Sequence, residues 1–132
     1  MNNNSLAMGW AALAGIVLVA AGALGFLNTS LVGTSENALL HTDNIHNIVH
    51  LLTGLLALGI AFGLKGEQLV NGVIGFGVLY VIILVAVLVS PTLFGIFSVA
   101  ANGPIHIVHA AVAIVSLGVG FMARGSSAAM AR

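Results

Sequence analysis

Four long apolar runs, separated by short polar segments, dominate the sequence. They cover residues 6–27, 45–64, 70–89 and 105–122. Each is about 18–22 residues long, which as a helix spans a hydrocarbon layer of about 30 Å. Lipid offers the backbone no hydrogen-bond partners, and continuous apolarity lacks the alternation of a barrel strand. The pattern predicts an all-α fold, a four-helix transmembrane bundle forming a single domain over residues 1–132.

Composition supports this prediction and excludes other classes of protein. Hydrophobic residues make up 60% of the chain and charged residues 5%, a balance that no soluble domain of this size sustains. Three basic and three acidic residues cannot form a nucleic-acid surface, which needs clustered lysine and arginine. Cysteine is absent, so neither disulfides nor thiolate metal ligands are available. Because residues 1–5 carry no positive side chain, we expect the first run to be a retained helix rather than a signal peptide.

Polar and proline residues predict where the helices begin and end. Thr42 or Asp43 suits the N-cap of the second helix. Ser90 precedes a proline, which disfavours helical conformation and predicts the end of the third helix. Pro104 fits the first turn of the fourth helix, where its missing N–H is harmless. The uncharged residues 91–103 predict a short interfacial helix.

The basic residues predict the orientation in the membrane. Lys65 follows the second helix, and Arg124 and Arg132 follow the fourth, where we expect a short terminal tail. With four spans, all three lie on the same side, which the positive-inside rule makes cytoplasmic. Both termini are therefore predicted to be cytoplasmic.

Small residues predict close contacts between helices. Ala7, Ala11 and Gly15 recur every four residues in the first helix, and Gly59 and Gly63 form a G-x-x-x-G pattern in the second. Such residues let helix backbones approach closely in a membrane. Beyond the lipid bilayer, the expected partners are other membrane-protein subunits or further copies of this chain.

Two pairs of histidines carry the candidate chemistry. His46 and His50 are separated by four residues, and His106 and His109 by three, so each pair lies on one helix face. A shift of 59 residues aligns Ile48-Val49-His50 with Ile107-Val108-His109. The first and third helices do not align at that offset. The match indicates a repeated helical hairpin and predicts that His50 and His109 lie at equal depth.

The segment His46-Asn47-Ile48-Val49-His50-Leu51-Leu52-Thr53-Gly54 resembles the His-Asn-x-x-His-Leu-x-x-Gly motif of domain of unknown function 4383, a family of small bacterial membrane proteins. The resemblance implies four spans, a similar motif in the last helix and a bacterial inner (or photosynthetic) membrane. It implies no activity. The family usually has asparagine where this chain has His106, so the chain carries one additional imidazole.

Ionisable residues within membrane helices are functional candidates by default, and three interpretations remain open. The histidines could have a purely structural role and hold the helices together through hydrogen bonds. His50 and His109, with His46 and His106, could bind haem or (bacterio)chlorophyll. Alternatively, His46, His50, His106 and His109 with Asp43 could bind Zn²⁺ or Cu²⁺.

Enzymatic activity is not expected, because no nucleophile–base–acid set is visible. The lack of a soluble domain and the small residues favour an accessory or scaffolding subunit of a membrane complex or homo-oligomer. The alternative is a cofactor-binding or metal-binding membrane module that uses the paired histidines.

Overall fold

The computed structural model describes residues 3–90 and 103–130, and these form four long helices. All four are long and apolar enough to cross a membrane, which confirms the predicted all-α transmembrane bundle. The helices are α1 (Asn3–Leu27), α2 (Asn44–Gly63), α3 (Gly66–Val89) and α4 (Gly103–Met130).

The helix ends follow the predicted signals in most places. Asp43 is the N-cap of α2, and its Oδ1 accepts a 2.7 Å hydrogen bond from the backbone N–H of His46. Ser90 is the C-cap of α3, directly before the proline. Pro104 is the second residue of α4, within its first turn. The interfacial helix predicted over 91–103 falls on residues 91–102, which lie outside the described residues.

Two helices extend beyond the predicted runs. α3 begins at Gly66 instead of residue 70, because Gly66 has a φ of +58° and allows the chain to turn within a very short connection. α4 continues to Met130, whereas the sequence predicted a tail after Arg124. The hydrophobic pattern ends near residue 122, but no proline follows to stop the helix. The span predicted from apolarity was therefore shorter than the helix.

The connection between α1 and α2 is a small folded unit rather than only a polar loop. It contains two short parallel strands, β1 (Val32–Gly33) and β2 (Leu40–His41). Asn28 has a φ of +57°, and its Oδ1 accepts a 2.8 Å hydrogen bond from the N–H of Thr34. β1 contacts α1 and β2 contacts α4. The connection thus lies against the bundle at the end where α2 and α4 begin.

The bundle consists of two helical hairpins, because α1 packs mainly on α2 and α3 mainly on α4. Within the first hairpin, a Cβ added to Gly15 would lie 2.7 Å from Leu58 Cγ and 2.9 Å from the carbonyl oxygen of Gly54. Within the second, a Cβ on Gly77 would lie 2.9 Å from Leu117 Cγ. Ala7 and Ala11 are also buried. The predicted helix contacts are confirmed for Ala7, Ala11 and Gly15, whereas Gly59 and Gly63 are exposed and contact no other helix among the described residues.

The two hairpins repeat the same burial pattern with two different sequence offsets. Positions of α2 match positions of α4 at the predicted offset of 59, whereas positions of α1 match positions of α3 at an offset of 62. The buried pairs are Ala7 with Leu69, Ala11 with Val73, Ala14 with Phe76, Leu18 with Tyr80, His46 with Ile105, His50 with His109, Thr53 with Val112, and Ala57 with Ser116. A single offset cannot align both helices, because the second hairpin is three residues shorter between these positions.

Candidate metal centre

Three imidazoles meet inside the bundle near the start of α2 and α4. Nε2 of His109 lies 3.2 Å from Nε2 of His46 and 3.4 Å from Nε2 of His50. The three side chains are only 1–2% exposed. One ligand nitrogen from each ring lies within 4.8 Å of the other two. The prediction that His50 and His109 lie at equal depth is confirmed.

Local sequence explains how these side chains reach one point. Asp43 fixes the first turn of α2, and the spacing of four residues then places His46 and His50 on one helix face. Their ring centroids are 4.4 Å apart. His109 approaches from α4, and its ring stands nearly edge-on to that of His50, at an interplanar angle of 80°. The backbones of α2 and α4 approach each other less closely than those within either hairpin, so the imidazoles fill the space between them.

The spacing of the nitrogen atoms matches metal coordination. Zinc–imidazole bonds of about 2.0–2.1 Å at tetrahedral angles place neighbouring ligand nitrogens about 3.3 Å apart. The two distances from His109, 3.2 and 3.4 Å, lie on either side of this value. Because one ligand nitrogen from each ring lies within 4.8 Å of the other two, one ion between them could bind His46, His50 and His109. Three protein ligands leave one position of a tetrahedral ion open.

Proton counting also favours a cation at this point. A neutral imidazole has one N–H and one lone pair, so three rings whose Nε2 atoms converge cannot all be paired with one another. If a ring carries its proton on Nε2, its Nδ1 becomes an acceptor, and if not, its Nε2 lone pair faces the others. The Nδ1 atoms of His50 and His109 are buried without a hydrogen-bond partner among the residues that the structure describes, and an ion bound at Nε2 would not change this, so only the converging Nε2 atoms favour a cation. A metal ion would use all three Nε2 lone pairs.

The other two predicted ligands lie outside this group. His106 is one turn before His109 on α4 but is only partly buried, and it is not among the three converging histidines. Asp43 is also partly buried and acts as the α2 N-cap through Oδ1. The structure therefore brings together three of the five predicted site residues.

A hydroxyl pair lies beside the histidines and was not predicted as a pair. The hydroxyl groups of Thr53 and Tyr80 are 2.7 Å apart, and the Tyr80 ring centroid is 5.9 Å from that of His109. Because Thr53 Oγ1 has the carbonyl oxygen of Val49 as an acceptor at 2.8 Å, we assign the Tyr80 hydroxyl as the donor to Thr53. The polarity of both residues was visible, but their pairing across α2 and α3 was not.

Asn47 adds an unusual polar group next to the site. Its side chain is completely buried, and neither amide atom has a hydrogen-bond partner within residues 3–90 and 103–130. It lies so close to α1 that a Cβ added to Gly25 would overlap Asn47 Oδ1. Buried amides without partners are rare, because each costs about 1–3 kcal/mol. The His46–His50 turn of α2 is therefore held against α1 with no space for a larger side chain at residue 25.

Fold and geometry together define a four-helix membrane bundle with a buried three-histidine cluster at one end. Comparisons of the chain with protein-family models, curated proteins and solved structures give no match. The resemblance of residues 46–54 to domain of unknown function 4383 remains a prediction.

Proposed function

We propose that this protein binds a transition-metal ion, zinc or copper, through His46, His50 and His109. The observation that carries the proposal is the convergence of three buried Nε2 atoms at distances suited to one ion. Imidazole is a good ligand for both metals. Helix packing alone needs no such convergence, since one histidine hydrogen bond would join α2 to α4.

The same geometry favours an ion over haem or (bacterio)chlorophyll. A planar macrocycle between two axial histidines would have to separate their rings and extend sideways between the helices. Nε2 of His50 and Nε2 of His109 are 3.4 Å apart, and Nε2 of His46 is close to the same point. A macrocycle cannot lie between nitrogens that are this close, whereas a single ion can be bound by all three.

For orientation, we propose that the metal centre lies toward the non-cytoplasmic side of a bacterial inner membrane. Lys65 and Arg124 lie at the opposite end of the bundle, where Arg124 donates a hydrogen bond to Asn71. The positive-inside rule makes that end cytoplasmic, together with both termini. Accessibility of single cysteines introduced at exposed Glu36 and exposed Lys65 to an impermeant thiol reagent would test this. Labelling of residue 65 from outside would refute it.

The metal proposal is tested with purified protein in lipid nanodiscs. We expect the wild type to bind one Zn²⁺ or Cu²⁺ per chain, measured by elemental mass spectrometry after removal of free ion. X-ray absorption should show imidazole nitrogens at about 2.0–2.1 Å. His50→Ala and His109→Ala should each lower the affinity by at least about 100-fold, since each removes a ligand atom.

His41→Ala is the matched control. His41 is at the same end of the bundle, but its Nδ1 contacts the carbonyl oxygen of Ser35 at 3.1 Å and it is outside the three-histidine group. This variant should bind as the wild type does. Equal binding by the wild type and His50→Ala, with helical content retained in both, would show that the ion is bound elsewhere and would overturn the proposal.

A second candidate function is the accessory or scaffolding subunit predicted from the sequence. It is favoured by the outer face of α2, where Gly59 and Gly63 are exposed and a Cβ added to either would meet nothing within 4 Å. Small residues one turn apart allow another helix to approach closely. Native mass spectrometry after gentle extraction should then detect an oligomer or a complex, and Gly59→Leu should dissociate it. A bare monomer would exclude this function.

A further inference from the structure

We propose that His106 passes the metal ion between the membrane surface and the three-histidine centre. This inference rests on the proposed metal binding and adds the path and the residue by which the ion enters. His106 is thus an exchange ligand and not a permanent ligand.

The first observation is that the centre itself is closed. His46, His50 and His109 are 1–2% exposed, so an ion cannot reach their Nε2 atoms directly from outside. Bare ions do not cross an apolar helix interface, because loss of hydration without replacement ligands is very costly. A stepwise transfer from one ligand to the next avoids that cost.

The second observation is the position of His106. It lies three residues before His109 on α4, so the two imidazoles are neighbours on one helix face. It is also the fourth residue of that helix, close to the end of the span. His106 is partly exposed, yet its Nδ1 is buried without a hydrogen-bond partner among the described residues. The ring therefore reaches from the protected interior toward the surface and has a nitrogen available for an ion.

The third observation is the distribution of other possible ligands around this residue. Glu36, His41 and Asp43 belong to the connection between α1 and α2, and its strand β2 contacts α4. This end of the bundle has no lysine or arginine within residues 28–47 or 103–109. Acidic and imidazole groups attract a divalent cation, whereas basic groups would repel it. A divalent cation would therefore enter the bundle from the surface near His106.

The test measures rates and affinity separately. Binding of Zn²⁺ to protein in nanodiscs is followed by stopped flow with a fluorescent zinc indicator, and release by transfer of the bound ion to a chelator. His106→Gln keeps a polar side chain of similar size but removes the imidazole. Without His106, entry needs a transient opening of the helices, so binding and release should both slow by about tenfold or more. The dissociation constant should stay within about threefold, because a residue that only assists transfer changes both rates equally.

Ile107→Ala is the control at the same depth, since Ile107 is 70% exposed and faces away from the centre. Its rates should equal those of the wild type. Unchanged rates in His106→Gln, with zinc still bound, would overturn this inference alone. A large loss of affinity in His106→Gln would also overturn it, because His106 would then be a permanent ligand. Failure of the wild type to bind metal would instead overturn the proposed function and this inference together.

Discussion

Replacing Gly54 by alanine tests whether α1 and α2 touch backbone to backbone beside the three-histidine cluster. A Cβ at residue 54 would lie 2.7 Å from the backbone nitrogen of Val19, 2.7 Å from Val19 Cγ2 and 2.9 Å from the carbonyl oxygen of Gly15. Ordinary van der Waals contact for a Cβ begins near 3.4 Å, so the closest contacts are about 0.7 Å too short. Two of the three atoms are backbone atoms and cannot rotate away.

The expected effect combines two opposing contributions. Overpacking of a tight contact costs about 1–3 kcal/mol, while alanine is favoured over glycine in a helix interior by about 1 kcal/mol. Gly59→Ala is the matched control on the same helix, because a Cβ at residue 59 meets nothing within 4 Å in the chain, so only the helix preference applies in the monomeric protein. Gly54→Ala should therefore be less stable than Gly59→Ala by about 2 kcal/mol.

Reversible unfolding in mixed micelles, followed by circular dichroism as the denaturing detergent fraction rises, measures this difference. We also expect Gly54→Ala to weaken metal binding, because Gly54 is one turn from His50 and separation of α1 from α2 would move the ligand. Equal stability of the two alanine variants would refute the close contact. It would also refute the packing of the first hairpin derived from Gly15 and Gly54.

Three further predictions concern the polar groups of the interior. Thr53→Val should lower the free energy of unfolding by about 1–2 kcal/mol, because the buried Tyr80 hydroxyl loses its acceptor. Tyr80→Phe should lower it by only about 0.6 kcal/mol, because Thr53 still donates to the Val49 carbonyl. Detergent unfolding of both variants and of the double variant measures these changes, and the reverse order would contradict the assigned donor. Ser116→Ala should cost about 1 kcal/mol by the same assay, since Trp10 Nε1 loses its 2.8 Å bond to Ser116 Oγ, and no change would contradict that α1–α4 contact. Acidification should lower metal affinity because protons compete with the ion for imidazole nitrogen, so titrations at several pH values should show tighter binding at higher pH, and a pH-independent affinity would argue against histidine ligands.

Much of the fold could be predicted because a membrane restricts the alternatives. Apolar length located all four spans, and Asp43 and Ser90 were correct markers of helix ends. The continuation of α4 to Met130 was missed because helix outside the lipid needs no apolar run. The strands near Val32 and Leu40 were also missed, since two-residue strands leave no periodic pattern.

The residue types of the candidate site could be predicted from the sequence, but their arrangement could be predicted only in part. Helical spacing and the 59-residue match predicted that His50 and His109 lie at one depth, as they do. Which other histidines join them depends on the rotation of each helix about its axis, which neighbouring helices determine. That rotation brings His46 inward and leaves His106 partly exposed. The pairing of Thr53 with Tyr80 depends on the same rotations and left no mark in the sequence.

The asymmetry of the repeat explains why three histidines, and not four, converge in the bundle. His50 and His109 occupy equivalent positions in the two hairpins, but the equivalent of His46 in α4 is the buried Ile105. A fully symmetric pair of hairpins with His46 repeated would offer four imidazoles and could close a tetrahedral site. With Ile105 in that position, one coordination position of the proposed ion has no imidazole from the repeat. An open position suits an ion that must leave as well as enter, because an incoming ligand can bind before an existing one departs. The departure from symmetry at Ile105 thus supports exchange through His106 more than permanent structural binding.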